Sequence, residues 1–300
     1  MNNAAVIILN FNNYGETIRC AKNLITTNEN FHIIVVDNCS TNNSYEELQK
    51  ELSRETCVDV VQTKENGGYS YGNNYGIRYA IEKYAVDYIC IMNPDVVTNC
   101  RVINELCNDL AKSDEYAFSS GLMSIYDTIY FDRVSFDINS AKKICDDLFL
   151  LKRSRDTVSQ GYKITNDGLI IAPALPGSFF VCDAEKFRKI GFFDESLFLY
   201  CEEIVLGIRC NQVGFKCIID PSIIYRHNHH SENQSRQQIY RNYKYSFNKI
   251  LAENRIKFNS RAYVLRKYFS GKYYKRLVCI YHFNKILLYG KHIMSLFISR

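Results

Sequence analysis

Proline and glycine are scarce in this chain of 300 residues, with 4 and 14 copies, and that scarcity argues against a disordered polypeptide. A zinc site has no support: the 12 cysteines, at positions 20, 39, 57, 90, 100, 107, 145, 182, 201, 210, 217 and 279, never form a C-x-x-C pair. A disulfide framework fits poorly with this length, and several of the cysteines lie in apolar runs, where a free thiol acts as a small hydrophobe. No apolar run reaches the ~20 residues needed to cross a bilayer, because Lys285 and Lys291 interrupt the best candidate. No signal peptide is expected, since Ala4–Leu9 reads as a core strand almost at once, and the expected compartment is the cytoplasm. Internal repeats and low-complexity tracts are absent. Acidic residues are missing from one region only: none follows Glu253, while residues 254–300 hold eleven Lys and Arg. The other 26 basic residues are set against 32 acidic ones, so an acidic body precedes a basic, aromatic tail.

What is present is a core. Hydrophobic residues make up 47% of the chain, enough for one large domain or a domain with an appendage. Strand candidates are Ala4–Leu9, His32–Val36, Val58–Gln62 and Asp87–Met92. Helical stretches alternate with them near Tyr14–Thr26, Tyr45–Leu52, Tyr71–Lys83 and Arg101–Lys112. This alternation predicts right-handed βαβ units and a parallel sheet. Ser44 with Glu47 suggests a capping box for the second helix. From about 115 to 175 the alternation stops. Ile129–Phe136 is β-prone and Lys152–Gly168 polar, so this part reads as an irregular insert or a small mixed sheet. Ser178–Cys182 then looks like a strand, Ala184–Ile190 a short helix, Glu202–Val213 a helix and Lys216–Ile219 a strand ending in a Pro221 turn. Beyond Ser231 the pattern is helical and amphipathic.

The most informative segment is Asn93-Pro94-Asp95. It closes the apolar run Asp87–Met92, and Pro94 forbids continuation of the strand. A carboxylate is thereby set at the carboxyl end of a core strand, where open α/β sheets bind their ligands. Asp95 there could hold a divalent cation against a diphosphate. The same tripeptide is also good turn chemistry. Asp37 ends the second strand, where it could accept hydrogen bonds from a base or ribose, or cap the following turn. Asn66-Gly67-Gly68 opens a stretch to Gly76 that is rich in Gly and Asn, which lets backbone approach a ligand closely and favours phosphate at a helix start. It lacks the spacing of a dinucleotide fingerprint. Glu202 and Glu203 open a helix, where negative charge is welcome, and one of them could serve as a general base. Histidines 227, 229 and 230 do not have zinc spacing; a single ligand, His227, is the sharper idea.

Taken in order, Val6–Asn12, Val35–Ser40, Asn66–Gly76, Met92–Val96, Pro176–Phe180, Gly191–Glu203 and His227–Ser231 resemble the family 2 glycosyltransferases of GT-A fold, and among them the rhamnosyltransferase-like members. The resemblance spans about residues 4–250. It implies a Rossmann-like, mostly parallel α/β sheet flanked by helices. Residues 1–230 would form the catalytic domain, with a nucleotide-sugar half to about 112 and an acceptor half from about 113. Residues 231–300 would form a helical, basic extension. It also implies roles. Asn10, Asp37, Asn66, Gly68, Asn74, Asn93 and Asp95 would line the donor site, and Gly177 and Ser178 the acceptor side. Asp95 and His227 would bind Mg²⁺ or Mn²⁺, and Glu203, beside Glu202, would be the base. Two departures stand out: Asn93 replaces the first acid of the fullest D-x-D form, and Glu202-Glu203-Ile204-Val205 replaces Glu-Asp-x-Asp.

The implied reaction is inverting transfer of a sugar from a nucleoside-diphosphate donor, dTDP-rhamnose or a UDP-sugar, to a hydroxyl of a glycan acceptor. A lipid-linked acceptor and a role in O-antigen or capsule synthesis are expected. The basic aromatic tail suggests a peripheral protein on an anionic inner membrane face. Ordinary helices packed on the catalytic domain would have the same composition. A nucleotide-sugar binder without catalysis is the alternative, and binding of single-stranded nucleic acid by the tail a weaker one, so no nucleic acid partner is expected. An oligomer is left open.

Overall fold

Four strands, Ala4–Asn10 (β1), His32–Asp37 (β2), Val58–Gln62 (β3) and Tyr88–Met92 (β4), lie parallel in the order β3-β2-β1-β4. The structure is a computed structural model describing residues 2–27, 31–125, 128–129, 138–151, 163–228 and 236–298, with 236–245 and 297–298 described by backbone only. These strands read as nearly continuous apolar runs because helices cover both faces of the sheet. On one face Val6, Ile8, Val35, Cys90 and Met92 pack with Leu24, Leu48, Ile103 and Leu106. Those partners come from helices Tyr14–Ile25 (α1), Ser44–Leu52 (α2) and Cys100–Leu110 (α4). On the other face Ile7, Ile34, Val36, Ile89 and Ile91 pack with Ile77, Ala80 and Phe187. Here the helices are Gly68–Tyr84 (α3) and Ala184–Lys189 (α6). The alternation of facing follows from the period of two along a strand.

The sheet continues past β4 through strands Phe179–Asp183 (β10), Tyr116–Ile125 (β6), Lys216–His227 (β11), Ile170–Ala172 (β9) and Lys163–Ile164 (β8). Strand β10 runs antiparallel to both β4 and β6, and β6 pairs in parallel with β11. Two short strands, Val96–Val97 (β5) and Thr128–Ile129 (β7), pair with β11 and β6. Helix α7, Glu202–Gln212, packs on this half.

Three expectations are corrected. Residues 116–125 are a central strand of the one large sheet, and not part of an irregular insert or a small mixed sheet of its own: all ten residues of β6 are buried, and Ser120 Oγ donates to the Phe179 carbonyl at 2.8 Å. The Pro221 turn does not end the last strand. Pairing of β11 with β6 jumps from Asp220–Gly121 to Ile224–Leu122, so Pro221 sits in a bulge where no ladder hydrogen bond is asked of it. The capping box at Ser44 is not formed. Asn43 is the N-cap, and Ser44 Oγ instead donates to Asn42 Oδ1 at 2.6 Å. Most of Ile129–Phe136 and the first part of Lys152–Gly168 lie outside the described residues, as do His229 and Ser231.

Contacts cluster the chain into two units. One comprises Met1–Ile138, Val158–Phe198 and Glu202–His229; the other comprises Asn139–Thr157, Leu199–Cys201 and His230–Arg300. The described part of the second unit is helical: Ala141–Asp146 (α5), Arg236–Tyr268 (α8) and Tyr274–Ile298 (α9). Helices α8 and α9 pack on each other and on α5. Asn284 is fully buried there, with its Nδ2 donating to the Leu148 carbonyl at 2.6 Å and its Oδ1 accepting from Leu150 N at 3.2 Å.

Candidate functional site

The strand order reverses between β1 and β4, so the carboxyl ends of β1, β2 and β4 border the crevice that such sheets use for ligands. Asn10, Asp37 and Gln62 stand in one row across β1, β2 and β3. Asp37 is wholly buried, and its oxygens accept from Asn10 Nδ2 at 2.7 Å, Ser40 Oγ at 2.6 Å, Ser40 N at 3.0 Å and Gln62 Nε2 at 2.9 Å. Asn10 Oδ1 in turn accepts from Thr17 Oγ1 at 2.9 Å. Four donors fill the lone pairs a carboxylate offers. In this arrangement Asp37 organises the strand ends.

The Asn/Gly segment is fixed the same way. Asn66 Oδ1 accepts from Asn38 Nδ2 at 3.0 Å and from Gly68 N at 3.1 Å. Gly68 has φ +90°, and a Cβ there would lie 2.1 Å from the Phe198 carbonyl oxygen. That oxygen accepts from Tyr69 N at 2.8 Å, so the start of α3 is pressed against the chain just before the Glu202-Glu203 helix. Asn74, expected to line the donor site, has its amide engaged by the 193–195 loop. Its Nδ2 reaches the Phe193 carbonyl and Glu195 Oε1, both at 2.9 Å, and its Oδ1 accepts from Phe193 N at 3.1 Å. Arg209 clamps the same loop through Asp194 at 2.8 Å.

Asn93–Asp95 is both a turn and a site candidate. The Asn93 carbonyl accepts from Val96 N at 3.1 Å, which closes the turn and launches β5. Pairing of β5 with the end of β11 sets Val96 opposite His227 and brings His227 Nε2 to 3.2 Å from Asp95 Oδ2. His227 is buried, whereas the Asp95 side chain keeps a quarter of its surface open. Two residues 132 positions apart in sequence thus converge, one oxygen and one nitrogen donor. Cys20 adds no thiolate to this pair: burial first, and then the charge of Asp95, push its thiol up to about 12.

The two carboxylate positions are joined by a short hydrogen-bonded bridge. Glu203 Oε1 accepts from Gly177 N at 3.4 Å. The carbonyl of the next residue, Ser178, accepts from Asn93 N at 2.8 Å. The arc therefore runs from Glu203 through Gly177-Ser178 to Asn93-Pro94-Asp95 and on to His227. Glu203 is half-buried and Glu202 buried, with 3% of its surface exposed. Val205 is fully buried, so the family's second acid is replaced by a core residue.

Two participants were not legible in the sequence. Tyr69 OH donates to the Gly177 carbonyl at 2.6 Å. Its phenol is held well above its usual range, first by burial and then by the charges of Glu203, Glu202 and, more weakly, Asp95. One side chain thus senses all three acids. Tyr225 is the second: its hydroxyl lies 3.4 Å from Ser178 Oγ, beneath the bridge. The only available signal was the position of Tyr69 within the Gly/Asn segment.

The glycosyl transferase family 2 sequence model matches residues 5–200. Among curated proteins, the low-salt glycan biosynthesis hexosyltransferase Agl10 of Haloferax volcanii is 26% identical over 239 residues, covering 74% of this chain and 67% of that protein. The rhamnosyltransferase WbbL of Escherichia coli K12 is 25% identical over 240 residues, covering 77% and 85%. Among solved structures, GalNAc-T7 with UDP, GalNAc and Mn²⁺ superposes with a TM-score of 0.58 at 16% identity, over 87% of this chain and 50% of that one. S. aureus TarS 1–349 superposes with a TM-score of 0.53 at 12% identity, over 98% and 80%. The chain thus spans half the length of the GalNAc-T7 chain. The two superpositions bear on the fold, which is GT-A-like: a mixed α/β sheet with a parallel core flanked by helices.

Proposed function

Because the chain belongs to glycosyl transferase family 2, we propose that it is an inverting, metal-dependent transferase moving a sugar from a nucleoside-diphosphate donor to a hydroxyl of a glycan acceptor. The observation that carries this reading is the hydrogen-bonded arc from Glu203 to the Asp95–His227 pair. It sets a candidate base in the first turn of α7 and a candidate leaving-group site in the turn before β5, with one short bridge between them. In this reading residues 1–230 are the catalytic domain, donor half to about 112 and acceptor half beyond, and residues 231–300 are an extension.

The chemistry balances as a single displacement. Glu203 takes the proton from the acceptor hydroxyl as that oxygen attacks the anomeric carbon. The bond from that carbon to the diphosphate oxygen breaks on the opposite side, and its electron pair leaves with the nucleoside diphosphate. No sugar–enzyme bond is needed, in parallel with inverting glycosidases. Asn10, Asp37, Asn66 and Gly68 shape the donor pocket, Asp37 by organising its neighbours, while Asn74 anchors the wall. Tyr69 holds the Gly177 carbonyl and so keeps Gly177 N aimed at Glu203.

A metal fits the residues present. Asp95 and His227 supply two hard or borderline donors, and no group of three or more His, Cys, Asp or Glu side chains able to hold a metal occurs among the described residues. Such a sparse set suits Mg²⁺ or Mn²⁺, which take few protein ligands plus phosphate oxygens. Bound there, the cation would neutralise charge on the departing diphosphate. The name of WbbL supports a rhamnosyl donor, and the UDP in the GalNAc-T7 and TarS structures a uridine one. A lipid-linked acceptor in bacterial surface polysaccharide synthesis, met at the inner face of the membrane, completes the reading.

The test is a thermal-shift panel of nucleoside diphosphates with and without Mn²⁺, on wild type and Asp95→Ala. A ligand at a hundred times its dissociation constant stabilises the native state by ~2.7 kcal/mol. The expected result is a Mn²⁺-dependent shift with one nucleotide that is lost in Asp95→Ala. Equal shifts in both proteins would remove Asp95 from the metal site. Donor binding without transfer to any glycan would favour the non-catalytic binder, a reading that Val205 keeps in view.

A further inference from the structure

Helix α9 is apolar on two opposite sides. Its packed seam is formed by Leu277, Asn284, Leu288 and Ser295, all buried within the second unit. The opposite side carries Cys279, Ile286 and Ile293, seven residues apart, with His282, Tyr289 and Leu296 three residues after each. All six are exposed, and Ile286 and Ile293 leave 70% and 53% of their surface open. Together with Lys285 and Gly290, four of them line a shallow groove of about 550 Å³. A helix that has already buried one seam has no folding reason to place isoleucines on the other. No helix among the described residues is long and apolar enough to cross a membrane, so the stripe is not part of a span.

We propose that this outward stripe of α9 is a membrane-contact face that lies along an anionic lipid surface, with Ile286, Tyr289 and Ile293 inserted among the acyl chains. It deepens, and rests on, the peripheral-membrane reading above. The choice of lipid over a second copy of the chain comes from charge. Lys275 and Lys285 stand beside the stripe and no acid occurs from 254 to 300, whereas Arg276 is held by Asp146 at 2.6 Å and Lys291 shares its helical position with the buried Leu277 and Asn284. Two such stripes facing each other would set lysine against lysine, with no Glu or Asp at the flanking positions that specify helix pairing. An anionic surface meets the same lysines with opposite charge, while tyrosine and isoleucine suit the interface itself.

The test uses the full chain and flotation with two kinds of vesicle, phosphatidylcholine alone and phosphatidylcholine mixed with phosphatidylglycerol. Wild type is expected to float mainly with the mixed vesicles. The double substitution Ile286→Glu/Ile293→Glu is expected to lower the partition coefficient at least about tenfold. Lys275→Gln/Lys285→Gln is expected to lower binding to the mixed vesicles about tenfold and leave the neutral ones unchanged. If the glutamates hinder folding, Ile286→Ser/Ile293→Ser makes the same test. Wild-type partition in the isoleucine variants would overturn the proposal. So would a lipid-free dimer that these substitutions dissociate, since that would assign the face to a second copy. The nucleotide thermal shift is read on every variant. Its retention with lost flotation supports the membrane face, and its absence in wild type counts against the donor site alone.

Discussion

Glu203→Gln lowers kcat by roughly 10²–10⁴-fold at saturating donor, the span expected when a well-placed general base is removed. The substitution is informative because glutamine keeps the one contact the side chain makes with Gly177. Its amide oxygen can still accept from Gly177 N, so the bridge to Ser178 and Asn93 is retained. What is lost is the capacity to take a proton. Donor binding, read as the nucleotide thermal shift, is therefore expected to stay at wild-type strength while transfer falls. Glu202→Gln is the companion. Glu202 leaves only 3% of its surface exposed, so its substitution is expected to reduce turnover less than that of the half-buried Glu203. If Glu203→Gln turned over at the wild-type rate with a verified acceptor, the base would lie elsewhere. If Glu202→Gln gave the larger loss, the two roles would be exchanged.

Gly68→Ala destabilises the protein by about 3 kcal/mol or more and abolishes the nucleotide shift, because two separate costs fall on one residue. The first is conformational, since φ is +90°. The second is steric. The added methyl would lie 2.1 Å from the Phe198 carbonyl oxygen and 2.7 Å from the carbonyl carbon and Cα. All three atoms are backbone, so no rotamer change relieves the contact. To make room, the 193–198 loop must withdraw from α3, and the Tyr69 N to Phe198 O bond at 2.8 Å goes with it. Gly214→Ala separates the two costs. Gly214 also has positive φ, +81°, but its added methyl would meet nothing within 4 Å. It is expected to cost only about 1–2 kcal/mol, the price of a left-handed conformation for an L-residue. Urea denaturation of the two variants measures both. Equal losses would mean that the close approach at Gly68 is unimportant.

The first half of the sheet was legible because each strand is buried on both faces and each helix carries one apolar side. Pro94 marked the end of β4 for the same reason that it cannot join a ladder. Strand β6 was hidden by its own composition. Ser119, Ser120 and Gly121 in mid-strand resemble a turn, and only the hydrogen bond from Ser120 to Phe179 shows how a hydroxyl is accommodated in that core. Strand β11 looked finished at Pro221 because a bulge is decided by the partner strand, which a linear pattern does not display. In the site, residue types were legible and partnerships were not. Asp95 and His227 meet through β5, a strand of two residues that no periodicity can announce. Asn74 has the chemistry of a ligand-facing amide, yet a loop 119 residues away occupies it. Tyr69 acts on a carbonyl 108 residues distant, a relation that exists only after folding.

The reversed direction of β10 has a mechanical consequence. Every neighbouring parallel strand presents its final residue to the crevice, but β10 arrives there with its beginning, so the connection Pro176-Gly177-Ser178 acts as a ruler laid between Glu203 and the Asn93–Asp95 turn. Its two marks are Gly177 N and Ser178 O, one peptide apart, and in the proposed mechanism they set how far the proton acceptor stands from the leaving group. An extended chain advances about 3.3 Å per residue. Inserting a single residue after Gly177 would therefore move one mark by more than the tolerance of an in-line displacement while leaving both carboxylates in the protein. In the proposed mechanism the stereochemical reach is written in the length of this connection as much as in the identity of the acids.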